Sequence, residues 1–108
     1  MTLMEDYFDG LYRGDVELLR KVFHPDAWLK GKDYRKSSED WLAAVAARPA
    51  PSDQGLTFEF SIQSIEIVGD QAVAKVSAPL PHGHFIDFLS LLREDGRWQV
   101  VNKLFTVI

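Results

Sequence analysis

The chain has 108 residues, one domain's worth, and its 46% apolar content with 7 Phe, 3 Trp and 3 Tyr is enough to build a sizeable core. A mild formal charge of −4 with scattered Lys and Arg argues against nucleic acid, whose phosphates need a clustered positive face. With no cysteine there are no disulfides, thiolate chemistry or cysteine zinc sites; no apolar run is long enough to span a membrane, and the acids within the first nine residues point to a cytoplasmic protein.

Leu3, Tyr7 and Leu11 recur at a spacing of four, with Met4, Phe8 and Tyr12 on the adjacent stripe. This predicts a helix with a wide apolar face, ending near Gly14. Asp15 reads as the N-cap of a second helix carrying Leu18, Leu19, Val22 and Phe23, stopped by His24-Pro25-Asp26. Ala27 to Lys30 suits a short strand before Gly31. A third helix starts at Ser37 or Ser38, with Asp40 placed for a capping contact from Ser37. It shows Trp41, Leu42, Val45 and Ala46 on one side and ends before Pro49. Pro49 to Gly55 is a polar loop.

The second half changes period. Leu56, Phe58, Phe60 and Ile62 alternate, then Ile65 and Ile67 continue on the opposite parity, so a bulge or bend is expected at Gln63-Ser64. Gly69-Asp70 turns the chain into a strand from Gln71 to Ala78. Pro79 to Gly83 forms the next turn, and His84–Arg93 with Arg97–Val107 make a last hairpin around Asp95-Gly96. Helices first and a long antiparallel sheet second mean an α+β domain over residues 1–108.

Tyr7 to Leu11, Gly14-Asp15, Phe23-His24-Pro25-Asp26-Ala27, and Gly96-x-Trp98 to Lys103-x-Phe105 resemble nuclear transport factor 2-like proteins, most of all the group labelled putative lumazine-binding. The resemblance covers nearly the whole chain. It implies a cone (the cystatin-like fold) of three N-terminal helices on a strongly curved, mostly antiparallel sheet. It also implies a pocket between sheet and helices and a homodimer through the outer sheet face. Ketosteroid isomerases, distant relatives, take a tyrosine from the first helix and an acid from the penultimate strand, matched here by Tyr7 and Asp87. Their basic aspartate falls at Gly31, which cannot take a proton, so the resemblance does not extend to isomerase chemistry.

Asp87 stands in an apolar strand among Phe85, Ile86, Phe88 and Leu89. On the core face it must be hydrogen-bonded, paired or protonated, because an unpaired buried charge costs several kcal/mol, about the scale of a domain's whole stability. Lys103 is the natural partner, and register decides. A two-residue Asp95-Gly96 turn sets Asp87 opposite Leu104, whereas a three-residue loop sets it opposite Lys103. The second register is favoured because it pairs the two charges. It also puts Leu89 with Val101 and Phe85 with Phe105 on one face, and Leu92 with Trp98 on the other. An adjacent carboxylate raises an amine's pKa, which argues against Lys103 as a Schiff-base nucleophile.

The ligand-lining set expected from these patterns is Tyr7, Leu11, Trp28, Trp41, Phe85, Asp87, Leu89, Lys103 and Phe105. Asp87, His24 and Tyr7 are the acid–base candidates, although Asp26 beside His24 reads first as a turn residue. His82-Gly83-His84 offers too few ligands for a metal, and no cofactor is expected. Ile86, Phe88, Leu92 and Trp98 would form the outer apolar face of a dimer. A binding module for a small hydrophobic or aromatic molecule is the leading functional expectation. The alternatives are a lyase or isomerase of the polyketide cyclase and ketosteroid isomerase type, and a dimerising domain with a vestigial pocket.

Overall fold

Glycine, aspartate and serine set the helix ends as their chemistry requires. In the computed structural model, which describes residues 1–108, α1 (Thr2–Arg13) closes on Gly14 at φ 64°, a left-handed position that suits glycine. Asp15 caps α2 (Val16–Val22) by accepting the Leu18 N–H, and Ser37 caps α3 (Ser38–Ala47) by accepting the Asp40 N–H. No helix is long and apolar enough to cross a membrane.

The strands are β1 (Phe23–Gly31), β2 (Tyr34–Ser37), β3 (Ser61–Val68), β4 (Gln71–Leu80), β5 (Gly83–Glu94) and β6 (Arg97–Val107). They form one sheet in the order β2-β1-β6-β5-β4-β3. Only the β1–β6 pair is parallel, so the architecture is the expected α+β type. Its register shifts between Phe23 and Trp28, the stretch where Pro25 has no N–H to give the ladder.

Several boundaries differ from the sequence expectation. Phe23 opens β1 instead of closing α2, and the strand runs through His24-Pro25-Asp26. β2 was not foreseen. Its signal is the Lys32-Asp33 turn, with Asp33 at φ 60°, joining Gly31 to Tyr34. Leu56 to Phe60 is not strand, because β3 begins only at Ser61; the phase change near Gln63 is a bulge between Ile62 and Ser64. Pro79 and Leu80 belong to β4, and the turn narrows to Pro81-His82.

The last hairpin is the correction that matters most for the site. Asp95 and Gly96 both have positive φ, 53° and 72°, which makes a two-residue turn pairing Glu94 with Arg97. A bulge then follows, with Leu91 opposite Val100 and Ser90 opposite Asn102, leaving Val101 as the extra residue. Asp87 therefore lies opposite Phe105, and Lys103 lies opposite Leu89. Neither foreseen register is correct. Phe85 pairs with Val107, and Trp98 pairs with Arg93 on the same face as Leu89 and Leu91.

The core lies between the concave sheet face and the helices. Tyr7, Leu11, Leu19, Leu42, Ala74, Val76, Leu89 and Val100 are all buried there. Each large side chain so buried contributes about 1.5–3 kcal/mol.

Candidate functional site

β4, β5 and β6 carry an inward row of side chains, and α1 and α3 lie over it. At one end the helices do not close down on the sheet. A cavity of about 230 Å³ remains, bounded by Tyr34, Trp41, Arg48, Leu80, His82, Phe85, Asp87, Lys103 and Phe105. The bulge at Val101 decides part of this lining. With regular alternation from the inward Val100, Asn102 and Leu104 would face the hollow; the extra residue turns Lys103 and Phe105 inward instead.

The cavity floor is polar. The Tyr7 hydroxyl donates to Asp87 Oδ2 at 2.7 Å, and Lys103 Nζ lies 3.7 Å from the same oxygen. That is ion-pair distance but beyond a hydrogen bond. Asp87 is 1% exposed and Lys103 6%. Asp87 Oδ1 is buried and has no hydrogen-bond partner. Aromatic faces supply the rest of the amine's surroundings: Nζ is 4.6 Å from the ring centre of Trp41, 5.5 Å from Tyr7 and 5.8 Å from Phe105.

Burial shifts these groups. The Tyr7 phenol is pushed well above its ordinary value, first by desolvation and then by the Asp87 charge. The Lys103 pKa is lowered, because loss of water outweighs the attraction of Asp87 and Arg48 repels as well. This reverses the expectation that the carboxylate would dominate. Tyr7 also spends its hydroxyl proton on Asp87, so the two do not form a pair of donors aimed at a substrate oxygen. The third element of isomerase chemistry is missing, and a Cβ at Gly31 would stand 3.0 Å from the Phe105 ring, which would have to give way by a few tenths of an ångström.

Arg48, just past α3, is half-buried at the mouth and makes no carboxylate ion pair. Its guanidinium reaches His82 Nε2 at 3.4 Å, so that nitrogen accepts and the proton sits on Nδ1. Burial lowers the pKa of both groups, and for His82 the charges of Arg48 and Lys103 push the same way.

Of the expected lining residues, Trp41, Phe85, Asp87, Lys103 and Phe105 border the cavity, and Tyr7 lies beneath it on Asp87. Leu11 and Leu89 are packed in the core and do not border it. Trp28 is 47% exposed, because it points opposite to the inward Ala27 and Leu29. His24 does not border the cavity either; it sits at the start of β1, where Nδ1 meets Asp26 Oδ1 at 2.5 Å and Nε2 lies 3.9 Å from Glu94. Tyr34, Arg48, Leu80 and His82 were not foreseen. Arg48 carried a faint signal, as a cation directly after an apolar helix face.

The expected outer face also changes. Ile86 is 8% exposed, and Trp98 packs on the inner side against the core with Arg93 over its ring. The exposed outer apolar groups are Trp28, Val73, Phe88 and Leu104, beside an open depression of about 470 Å³ that includes Val68, Leu92 and Val101.

Residues 1–106 match the family described as putative lumazine-binding. The chain belongs to that family. Its fold is nuclear transport factor 2-like. An NTF-2 like protein of unknown function from Silicibacter pomeroyi DSS-3 superposes with a TM-score of 0.79 at 24% identity, over 99% of this chain and 91% of that one. A second such protein, from Methylobacillus flagellatus KT, gives 0.81 at 27% identity, over 99% and 87%. Among curated proteins, aldolase FrzH from a Cladobotryum species is 23% identical over 101 residues, 92% of this chain and 81% of that protein. Membership of the putative lumazine-binding family thus goes with the helix-on-sheet fold, while the cavity and its polar floor are described by this chain's own side chains.

Proposed function

We propose that this member of the putative lumazine-binding family binds a small, flat organic molecule in the cavity between sheet and helices, with an acidic group at the mouth and a hydrogen-bond donor at the floor. Asp87 carries the reading: the residue borders the cavity, is 1% exposed, and its Oδ1 has no hydrogen-bond partner, which is costly unless a ligand or water satisfies it. Arg48, half-buried without a counter-ion, supports an anionic group at the opening. Trp41, Phe85 and Phe105 supply flat apolar walls. A lumazine-like heterocycle, whose ring N–H could donate to Asp87, and a simple aromatic acid both fit this chemistry.

Lumazine, benzoate and benzyl alcohol are the probes, followed by amide and indole NMR shifts. Benzoate is expected to move the Trp41 indole and Arg48 signals, and Arg48→Gln to weaken it about tenfold. Equal binding of benzoate and benzyl alcohol would remove the anionic group from the reading, and no binding of any probe would overturn it.

A second reading, a lyase acting on a carbonyl compound, is supported by the aldolase-named relative and by an amine beside a carboxylate on the cavity floor. We also propose a homodimer through the outer face around Phe88, Leu104 and Val73, an exposed apolar surface that a monomer would leave in water. Phe88→Glu is expected to shift the sedimentation coefficient from dimer to monomer; an unchanged value would rule this face out.

A further inference from the structure

The least explained group in the molecule is the amine of Lys103. A buried lysine ordinarily ends in a close ion pair or a set of backbone acceptors. Here Nζ has no hydrogen-bond acceptor of the protein within bonding distance, its carboxylate is 3.7 Å away, and it borders the cavity. The bulge at Val101 exists on the strand that carries it, and without that bulge the side chain would face outward.

We propose that Lys103 is an imine-forming amine, taking an aldehyde or ketone with a flat apolar body, and that Asp87 is the proton carrier beside it. This deepens the ligand-binding reading and rests on the cavity admitting a small organic molecule. The neutral amine's lone pair attacks the carbonyl carbon, forming the C–N bond while the C=O π pair moves to oxygen. Nζ gives up a proton and the oxygen gains one. The nitrogen lone pair then forms C=N as the hydroxyl, protonated once more, leaves as water, and the iminium gives up its remaining N–H proton. Overall, one carbonyl and one amine give one imine and one water, with no net proton consumed and no oxidant or reductant needed. Asp87, whose Oδ2 lies 3.7 Å from Nζ and whose Oδ1 has no partner, can accept the proton from Nζ and return it to the departing hydroxyl. The rings of Trp41, Tyr7 and Phe105 flank the amine and leave the cavity as its one open side.

The groups facing Nζ are Asp87 from β5, Tyr7 from α1, Trp41 from α3 and Phe105 from β6, with Arg48 and His82 across the cavity. Burial and Arg48 favour the neutral amine and Asp87 opposes them; burial prevails, so a reactive fraction exists at a lower pH than for a surface lysine.

The test uses the intact protein, benzaldehyde as the carbonyl probe and sodium cyanoborohydride to trap the imine as a benzylamine, with adducts mapped by peptide mass spectrometry. Lys103 is expected to gain its benzyl group severalfold faster than Lys21, Lys30, Lys32, Lys36 or Lys75, since a lowered pKa leaves more neutral amine at a given pH. Its labelling should also rise at a lower pH, and benzoate should protect it while leaving the other five unaffected. If benzoate binds but Lys103 labels no faster than the surface lysines, this inference is overturned and the binding reading stands. If Lys103 labels selectively while benzoate neither binds nor protects, the amine chemistry stands and the anionic-ligand reading falls. Asp87→Asn, with its fold checked by circular dichroism, should move the Lys103 labelling profile to lower pH. An unmoved profile would remove Asp87 from the step.

Discussion

The floor of the cavity predicts a specific coupling between Asp87 and Lys103. At 3.7 Å and an effective dielectric of about 20, two full charges attract by about 4 kcal/mol. The lysine nitrogen borders the cavity and can relax toward water when its partner is removed, so the coupling measured by mutation should be smaller, about 1–3 kcal/mol. The assay is urea unfolding at neutral pH of wild type, Asp87→Asn, Lys103→Met and the double variant. Asp87→Asn should cost about 1–3 kcal/mol more in the presence of Lys103 than in the Lys103→Met background. Costs that add within about 0.5 kcal/mol would refute the pair. The pH dependence has a fixed sign. Burial lowers the folded-state pKa of Lys103, so between that value and the ordinary one of about 10.4 the folded chain holds fewer protons than the unfolded chain. The stability of wild type relative to Lys103→Met should therefore rise with pH across that window. The Asp87–Lys103 coupling should fade over the same range, as the ammonium is lost.

Tyr7→Phe should cost about 1–3 kcal/mol in urea unfolding, because it leaves both oxygens of the Asp87 carboxylate without a donor. The raised pKa of Tyr7 means the unfolded chain loses a proton above about pH 10 that the folded chain keeps. Wild-type stability should thus fall more steeply above that pH than the stability of Tyr7→Phe. Gly31→Asp restores the acid that ketosteroid isomerases have at that position, but its Cβ meets the Phe105 ring at 3.0 Å. It should destabilise by about 1–3 kcal/mol and confer no steroid isomerisation, measured by the absorbance of the conjugated ketone. Appearance of that activity would show that Phe105 yields more readily than its packing implies.

The fold was legible because its signals are local. Gly14-Asp15, Ser37 and Gly69-Asp70 act within a few residues of where they stand, and the two hydrophobic periods separate helices from sheet without reference to the rest of the chain. Tyr7, Asp87 and Lys103 could be picked out as anomalies, polar groups at positions whose neighbours are apolar. Their arrangement could not. A regular ladder from an Asp-Gly turn puts Lys103 on the wrong face, and nothing in Val100-Val101 announces a bulge, since valine suits an ordinary strand. Trp28 was misplaced for the same reason, as its facing depends on where β1 joins β6. Arg48 escaped notice and His82 was weighed only as a metal ligand, because the two meet only in three dimensions, across a gap of 34 positions.

The single surplus residue in β6 has a bearing on how such a hollow acquires chemistry. Because neighbouring positions on a strand face opposite ways, the letters from Asn102 to Phe105 encode two alternative interiors. One presents a lysine and a phenylalanine, the other an asparagine and a leucine. Which interior is expressed depends on strand geometry alone, so a cone of this kind can exchange a basic floor for a neutral one by gaining or losing one kink, with no side chain altered.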